Sequence, residues 1–108
     1  MDKLTRLSKC YLDEQEQEAV ARVLSSGYLG MGTEVEKFEN ELANYLETTS
    51  VACVNSGTAA LHLALQAIGI KSKEEVIVPS ITYVACFQAI SATGATPVAC
   101  DIDLKNGG

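Results

Sequence analysis

The chain has 108 residues, of which 47% are hydrophobic and 20% charged, a balance typical of a globular domain rather than a disordered segment. Its formal net charge of −6 argues against a nucleic-acid partner, because binding to a phosphate backbone depends on clustered Lys and Arg. No apolar run approaches the roughly 20 residues of a membrane span, and no apolar signal core follows the first residues. We therefore expect a cytoplasmic protein with no membrane partner.

The four cysteines are far apart in the sequence and include no C-x-x-C pair: Cys10, Cys53, Cys86 and Cys100. Because His62 is the only histidine, the chain lacks the clustered thiolate and imidazole ligands of a zinc site, and we predict no metal. Cys53 and Cys100 fall in apolar strand-like runs, which indicates small buried thiols in a reducing compartment.

Residues 1–50 are predicted to form a helical N-terminal arm with two helices. Asp13 begins the first helix, with Glu16 as its partner in a capping box, and Gly27 ends it. The sequence Thr-Glu-Val-Glu at residues 33–36 predicts a second capping box in front of the second helix. In both helices apolar residues recur at spacings of three and four, which indicates one face turned towards a core.

The segment between the two helices, Gly27 to Gly32, is rich in glycine. Its spacing is G-x-x-G-x-G, the reverse of the dinucleotide-binding fingerprint G-x-G-x-x-G, and it follows a helix instead of a strand. We therefore reject a dinucleotide site and predict a mobile loop, which could still border a functional site.

Residues 51–103 alternate short apolar runs with helix-patterned runs. The predicted strands are Val51–Val54, Glu75–Val78 and Pro97–Asp101, and the predicted helices are Thr58–Ile68 and Thr82–Ala92. This βαβαβ order indicates an α/β fold with parallel strands, in which each crossover helix ends at a glycine. Three strands make only half of a doubly wound sheet, and an open sheet edge favours aggregation, so we expect the chain to be a fragment of a larger α/β domain.

The turn between the first predicted strand and helix, Asn55 to Ala60, is the strongest candidate for a site. The first N–H groups of a helix have no partner inside it, and together with the helix dipole they favour an anion such as phosphate. Gly57 lets a ligand approach the backbone, whereas Ser56 and Thr58 can cap the helix or donate hydroxyl hydrogen bonds to phosphate oxygens. Tyr83 follows the next strand and would lie at the same edge of the sheet. The simpler alternative is that Ser56 is only an N-cap.

Four sequence blocks follow one another along residues 8–103. They are Ser26-Gly27-Tyr28 with Gly32 and Glu-Val-Glu-Lys-Phe-Glu at 34–39, Asn-Ser-Gly-Thr-Ala-Ala-Leu-His-Leu-Ala-Leu at 55–65, Glu-Val-Ile-Val-Pro-Ser at 75–80 with Thr82-Tyr83, and Gly-Ala-Thr-Pro-Val at 94–98 with Asp101-Ile102-Asp103. In this order they resemble the DegT/DnrJ/EryC1/StrS aminotransferases. The resemblance implies the large domain of a fold type I pyridoxal-phosphate enzyme that aminates a nucleotide-activated keto-deoxy-sugar.

The same resemblance implies roles for five residues toward pyridoxal 5′-phosphate as cofactor. Gly57 and Thr58, with Ser56 beside them, would hold the phosphate, and Tyr83 would stack on the pyridine ring. Gln88 stands where many members of the family carry Asn, and its amide could bond the cofactor or the substrate. His62 is expected to pack or to contact solvent instead of acting as a base.

The resemblance also implies partners: a nucleotide-sugar substrate, an amino-acid donor such as glutamate, and a second copy of the full-length enzyme in a homodimer. The glycine-rich loop would line the substrate entrance. The Schiff-base lysine and the acidic partner of the pyridine nitrogen are expected downstream, so we predict no catalytic residue in this chain and an inactive chain when it is alone.

Two alternatives stay open at this point. The chain could be a non-catalytic module that associates with itself or with a complementary fragment, or part of a pyridoxal-phosphate lyase, desulfurase or sugar dehydratase with the same fold. A P-loop hydrolase is poorly supported, because no G-x-x-x-x-G-K-[ST] sequence surrounds Gly57.

Overall fold

The computed structural model describes residues 8–106, and the part of the predicted helical arm before Ser8 lies outside them. The described residues form four helices and two strands: α1 Glu14–Ser26, α2 Thr33–Tyr45, α3 Gly57–Ala67, β1 Glu75–Pro79, α4 Ala85–Ala92 and β2 Thr96–Cys100. Within this part of the chain, no helix combines the length and the apolar character needed to cross a membrane.

The chain divides into two compact units, with the boundary between Val51 and Ala52. The first unit contains α1 and α2, and the second contains α3, α4 and both strands. The sheet therefore belongs wholly to the second unit.

The start of α1 is fixed by the predicted capping box. Asp13 Oδ1 accepts a hydrogen bond from the Gln15 N–H at 2.8 Å, and the Asp13 N–H donates to Glu16 Oε2 at 2.8 Å. The helix ends at Gly27, whose N–H donates to the Leu24 carbonyl at 3.2 Å. Both predicted ends of α1 are confirmed, because polar side chains and glycine satisfy backbone groups that a helix leaves without partners.

The second predicted capping box is wrong. The cap residue of α2 is Gly32, whose carbonyl accepts from the Glu36 N–H at 3.0 Å, and Thr33 is already the first helical residue. Since glycine has no side chain, no hydroxyl satisfies the first N–H groups of α2. The first turn instead carries the carboxylates of Glu34 and Glu36, whose charge suits the positive end of the helix dipole.

The second unit is built on a parallel pair of strands. β1 and β2 pair from Glu75 opposite Thr96 to Pro79 opposite Cys100, and α4 lies between them in sequence. The Ser80 N–H extends the ladder by donating to the Cys100 carbonyl at 2.8 Å. Parallel pairing requires a crossover connection, so the strand, helix and strand predicted for residues 75–101 are confirmed as a βαβ unit.

The core of this unit is small and lies on one face of the strands. Its buried centre consists of Val78, Ile90 and Ala95, with the partly buried Leu65 of α3 packed against it. Successive residues of a strand point to opposite faces, and Ile77, the neighbour of Val78, is 73% exposed. β1 therefore has one packed face and one open face.

The first predicted strand, Val51 to Val54, is not formed. These residues have no strand pairing, and in the described part of the chain the sheet consists of β1 and β2 alone. A strand is stabilised by backbone hydrogen bonds to a neighbouring strand, and no strand among the described residues pairs with residues 51–54. The second unit therefore has the order αβαβ in place of the predicted βαβαβ.

Replacing Gly94 by Ala should destabilise the second unit more than replacing Gly69 by Ala. Both glycines follow a helix and have a left-handed φ, +83° at Gly94 and +86° at Gly69, which strains a side chain. A Cβ at Gly94 would also lie 3.2 Å from Ser72 Cβ, whereas a Cβ at Gly69 would meet nothing within 4 Å. We expect Gly69→Ala to lower the free energy of unfolding by about 1 kcal/mol and Gly94→Ala to lower it further. Urea denaturation followed by circular dichroism measures both, and equal losses would contradict the role of Ser72.

Candidate functional site

A groove in the second unit lies beside the start of α3. It has a volume of about 630 Å³ and is lined by the first turns of α3, the turn before α4 and the start of α4: Gly57, Thr58, Ala60, Leu61, Ala64, Tyr83, Ala85 and Cys86. This volume is within the usual range of small-molecule sites. The structure thus brings three of the predicted site residues, Gly57, Thr58 and Tyr83, to one groove.

The start of α3 holds two backbone N–H groups that have no acceptor among residues 8–106. Ser56 is the N-cap: its hydroxyl oxygen accepts from the Ala59 N–H at 3.1 Å, and its carbonyl accepts from the Ala60 N–H at 3.0 Å. Within the described chain, the N–H groups of Gly57 and Thr58 donate to no acceptor. An anion at this helix end would be bound by these two groups together with the helix dipole.

The charge pattern distinguishes α3 from the two helices of the first unit. α1 has Glu14 and Glu16 in its first turn, and α2 has Glu34 and Glu36, so each carries its own anions at its positive end. The first turn of α3 has no acidic residue, and no residue that lines the groove is charged. An external anion would therefore meet an uncompensated helix end and no repulsion from the lining.

Gly57 leaves open space at this helix end. A Cβ placed on Gly57 would meet no atom within 4 Å, and the residue does not have the left-handed backbone that favours glycine. The fold itself therefore tolerates a side chain at this position. Any requirement for glycine comes from a ligand that approaches the backbone closely.

Tyr83 lines the groove from the turn before α4. This helix begins at Ala85, later than the predicted start at Thr82, and the Tyr83 carbonyl accepts from the Cys86 N–H at 3.0 Å. A second contact across the turn joins Thr82 Oγ1 and Cys86 Sγ at 3.3 Å. These contacts hold the backbone of Tyr83 while its side chain stays 78% exposed. The ring is therefore available for stacking on a flat ligand.

Sequence reasoning missed the apolar part of the lining. Leu61 and Ala64 of α3 and Cys86 of α4 line the groove together with the predicted residues. Leu61 is four residues after Gly57, and Ala64 is three residues after Leu61. Residues at these spacings lie on one face of a helix, so the position of Leu61 and Ala64 beside Gly57 could be predicted from the sequence. The position of Cys86 has no such signal, since it depends on the packing of α4 against α3.

Three residues singled out from the sequence lie outside the groove lining: the N-cap Ser56, Gln88 and His62. Gln88 is exposed on α4, and its contact with a cofactor or a substrate stays a prediction. His62 is half-buried on α3, and its Nε2 atom has no hydrogen-bond partner in the described part of the chain. Among residues 8–106, no lysine lines the groove and no group of His, Cys, Asp and Glu residues could hold a metal ion.

A parallel sheet packed on helices, with a groove at the uncompensated end of one helix, is typical of an α/β domain that binds a phosphorylated ligand. Sequence comparison identifies the family: the sequence model of the DegT/DnrJ/EryC1/StrS aminotransferase family matches residues 10–107, and the chain belongs to this family. Its members are sugar aminotransferases that use pyridoxal phosphate. The family and the fold type implied by the sequence blocks are confirmed.

Individual relatives are similar to the chain over most of its length. This chain is 54% identical over 87 residues to dTDP-3-amino-3,4,6-trideoxy-alpha-D-glucose transaminase of Streptomyces venezuelae. The matched region covers 81% of this chain and 23% of the relative. The crystal structure of S. venezuelae DesV is similar with a TM-score of 0.74 and 52% identity, over 82% of this chain and 24% of that one. E. coli GDP-4-keto-6-deoxy-D-mannose-3-dehydratase with bound hydrated PLP is similar with a TM-score of 0.84 and 25% identity, over 94% of this chain and 28% of that one. The chain thus spans only 23% to 28% of the length of these relatives.

The groove fits pyridoxal phosphate by its hydrogen-bond donors and its uncharged, largely apolar lining. The unused N–H groups of Gly57 and Thr58 and the Thr58 hydroxyl suit a phosphate, and the lining has no carboxylate to repel it. The exposed ring of Tyr83 and the apolar side chain of Leu61 suit a flat aromatic ring.

Replacing Ser56 by Ala should lower the free energy of unfolding of the second unit by about 1 kcal/mol, because the Ala59 N–H loses its acceptor. Hydrogen exchange at the Ala59 amide should become faster, and Ser56→Asp should keep the cap. Ser91→Ala is the matched control, since Ser91 is exposed inside α4 and caps no helix. Equal stability of Ser56→Ala and Ser91→Ala would show that the cap does not stabilise α3.

Proposed function

We propose that this chain is the cofactor-binding N-terminal part of an enzyme that transfers an amino group to a nucleotide-activated keto-deoxy-sugar. The observation that carries the proposal is the uncompensated start of α3, at Gly57 and Thr58, in one groove with Tyr83. The names of the relatives support the substrate class, since one is a transaminase of a dTDP-linked amino-sugar and another acts on a GDP-linked keto-deoxy-sugar. Glutamate as the amino donor and a homodimer of the whole polypeptide belong to the same proposal.

Each polar group of the groove has its own task toward the cofactor. The N–H groups of Gly57 and Thr58 would donate to phosphate oxygens, and the Thr58 hydroxyl would add a third donor. The Ser56 hydroxyl maintains the start of the helix by holding the Ala59 N–H. The ring of Tyr83 would stack on the pyridine ring, and offset stacking contributes on the order of 1 kcal/mol beyond burial.

The chain binds and orients the cofactor but does not supply the reacting amine. Pyridoxal phosphate, when bound, supplies an electron sink for bonds to the carbon that carries the amino group. Among the described lysines, Lys37 is paired with Glu34 at 3.3 Å, and none lines the groove. We therefore place the Schiff-base lysine elsewhere in the whole polypeptide and expect this chain to be inactive by itself. A cytoplasmic location of this chain stays a prediction.

A sugar dehydratase is a second candidate, favoured by the similarity to the E. coli dehydratase at a TM-score of 0.84. Both candidates need the same phosphate and ring contacts, so the groove does not distinguish them. A lysine at the Schiff-base position of the whole polypeptide supports amino transfer, because the amine forms the covalent link to the cofactor. A histidine there would remove transamination and favour the dehydratase.

A non-catalytic association module is a third candidate, favoured by the open face of β1, where Ile77 is 73% exposed. Sedimentation of the chain at several concentrations tests it. Self-association without any binding of pyridoxal phosphate would favour the module over the enzyme.

Replacing Gly57 by Val should weaken the binding of pyridoxal phosphate by about tenfold or more, because the added side chain keeps the phosphate from the backbone N–H groups. The free energy of unfolding should not fall, because there is open space for a side chain at this residue. Tyr83→Ala should weaken binding by about fivefold through the loss of stacking. Tyr11→Ala, which removes a ring that is 85% exposed and outside the groove, is the matched control.

Equilibrium dialysis against pyridoxal phosphate gives the three affinities, and borohydride reduction of the mixture tests for a covalent link. We expect reversible binding without a stoichiometric adduct at any one lysine. Unchanged affinity in Gly57→Val would contradict the proposed phosphate site, and a single specific adduct would contradict the absence of the Schiff-base lysine.

A further inference from the structure

Helix α4 starts without the kind of side-chain cap that begins α1 and α3. Its N-cap residue is Val84, which has no polar side-chain atom, and no side-chain hydrogen bond caps the helix. In contrast, α1 begins at the capping box of Asp13, and α3 begins at the hydroxyl of Ser56. The turn of residues 80–84, which carries Tyr83 to the groove at α3, therefore lacks the usual local support.

A contact between two other side chains supports this turn. Thr82 Oγ1 and Cys86 Sγ lie 3.3 Å apart, within hydrogen-bond distance for a sulfur atom. The Cys86 N–H also donates to the Tyr83 carbonyl at 3.0 Å. Cys86 thus contacts both the backbone of Tyr83 and the side chain of the residue before it.

The turn is attached to the rest of the second unit on both sides of Thr82. On one side, Cys86 is half-buried and packs against the core cluster around Val78. Core side chains are close-packed and keep their positions, so Cys86 is a fixed partner for the hydroxyl of Thr82. On the other side, the Ser80 N–H donates to the Cys100 carbonyl of β2 at 2.8 Å.

The ring of Tyr83 depends on this turn for its position. The side chain is 78% exposed, and within the described chain its hydroxyl forms no hydrogen bond. A ring without contacts of its own is placed by its backbone. Ordering a mobile side chain reduces the affinity for a ligand, whereas a ring on a fixed backbone loses less conformational entropy on binding.

We propose that Thr82 is a positioning residue for cofactor binding, because its contact with Cys86 holds the turn that presents the ring of Tyr83 to the pyridine ring. The inference rests on the proposed function, which supplies pyridoxal phosphate as the ligand of the groove at α3. Thr82 is outside the groove lining, so its effect on the cofactor passes through Tyr83.

Hydrogen exchange of the whole chain without ligand tests the hold on the turn. Thr82→Val removes the hydroxyl and keeps the branched shape of the side chain, and the Cys86 amide should then exchange about threefold faster, because one hydrogen bond is lost. Thr82→Ser keeps the hydroxyl and should restore the slower exchange. The matched control is Thr96→Val, since Thr96 is an exposed threonine of the same unit whose hydroxyl has no partner among residues 8–106.

Equilibrium dialysis against pyridoxal phosphate tests the effect on the ring. Thr82→Val should weaken binding by about threefold, because a mobile ring must be ordered by the ligand. Thr82→Ser and Thr96→Val should bind as the unsubstituted chain does. In the Tyr83→Ala background, Thr82→Val should cause no further loss, since the ring through which it acts is absent. Damage to the fold of the groove would instead lower the affinity in both backgrounds.

Inorganic phosphate separates the turn from the phosphate site. Thr82→Val should leave the affinity for inorganic phosphate unchanged, whereas Gly57→Val should weaken it, because only Gly57 lies at the start of α3.

Failure of this inference is distinguishable from failure of the proposed function. Equal affinity of Thr82→Val and Thr96→Val for pyridoxal phosphate, or the same threefold loss in the Tyr83→Ala background, would overturn the inference. Undetectable binding of pyridoxal phosphate by the unsubstituted chain would contradict the proposed function instead. The Cys86 amide then decides whether Thr82 holds the turn, and equal exchange in Thr82→Val and the unsubstituted chain would show that it does not.

Discussion

The beginning of α3 is the constraint on which the proposed cofactor site depends. The Ser56 hydroxyl takes the Ala59 N–H, and the donors of Gly57 and Thr58 stay unused at the mouth of the groove. A helix end of this kind attracts an anion, and no carboxylate of its own first turn competes for it. The packing of Leu65 against the core around Val78 holds the same helix to the sheet. Local capping and non-local packing therefore both contribute to the position of the donors.

The features that were predictable from the sequence are those determined by neighbouring residues. The Asp13 capping box and the glycine after α1 follow from short-range hydrogen bonds, and the βαβ alternation of residues 75–101 follows from local periodicity. Two predictions failed. The capping box at Thr33 does not form, because the preceding Gly32 takes the cap position. The strand at Val51 to Val54 does not form, because a strand depends on pairing with another segment and no described segment pairs with this one. The place of Cys86 in the groove lining was not predictable either, because the packing of α4 against α3 brings this residue to the groove.

The groove at α3 has no charged side chain and relies on backbone donors, which suits a phosphate beside a flat ring. The chain spans only about a quarter of the length of the relatives it matches, and no lysine among the described residues lines the groove at α3.

The most direct test of the phosphate site is a titration of the isotope-labelled chain with pyridoxal phosphate, followed by the amide resonances of every residue. We expect the largest shifts at the Gly57 and Thr58 amides, and we expect pyridoxal, which lacks the phosphate, to leave these two amides unchanged. Comparable shifts at the starts of α1 and α2, where glutamates already occupy the first turn, would contradict the claim that the α3 helix end is the specific anion site.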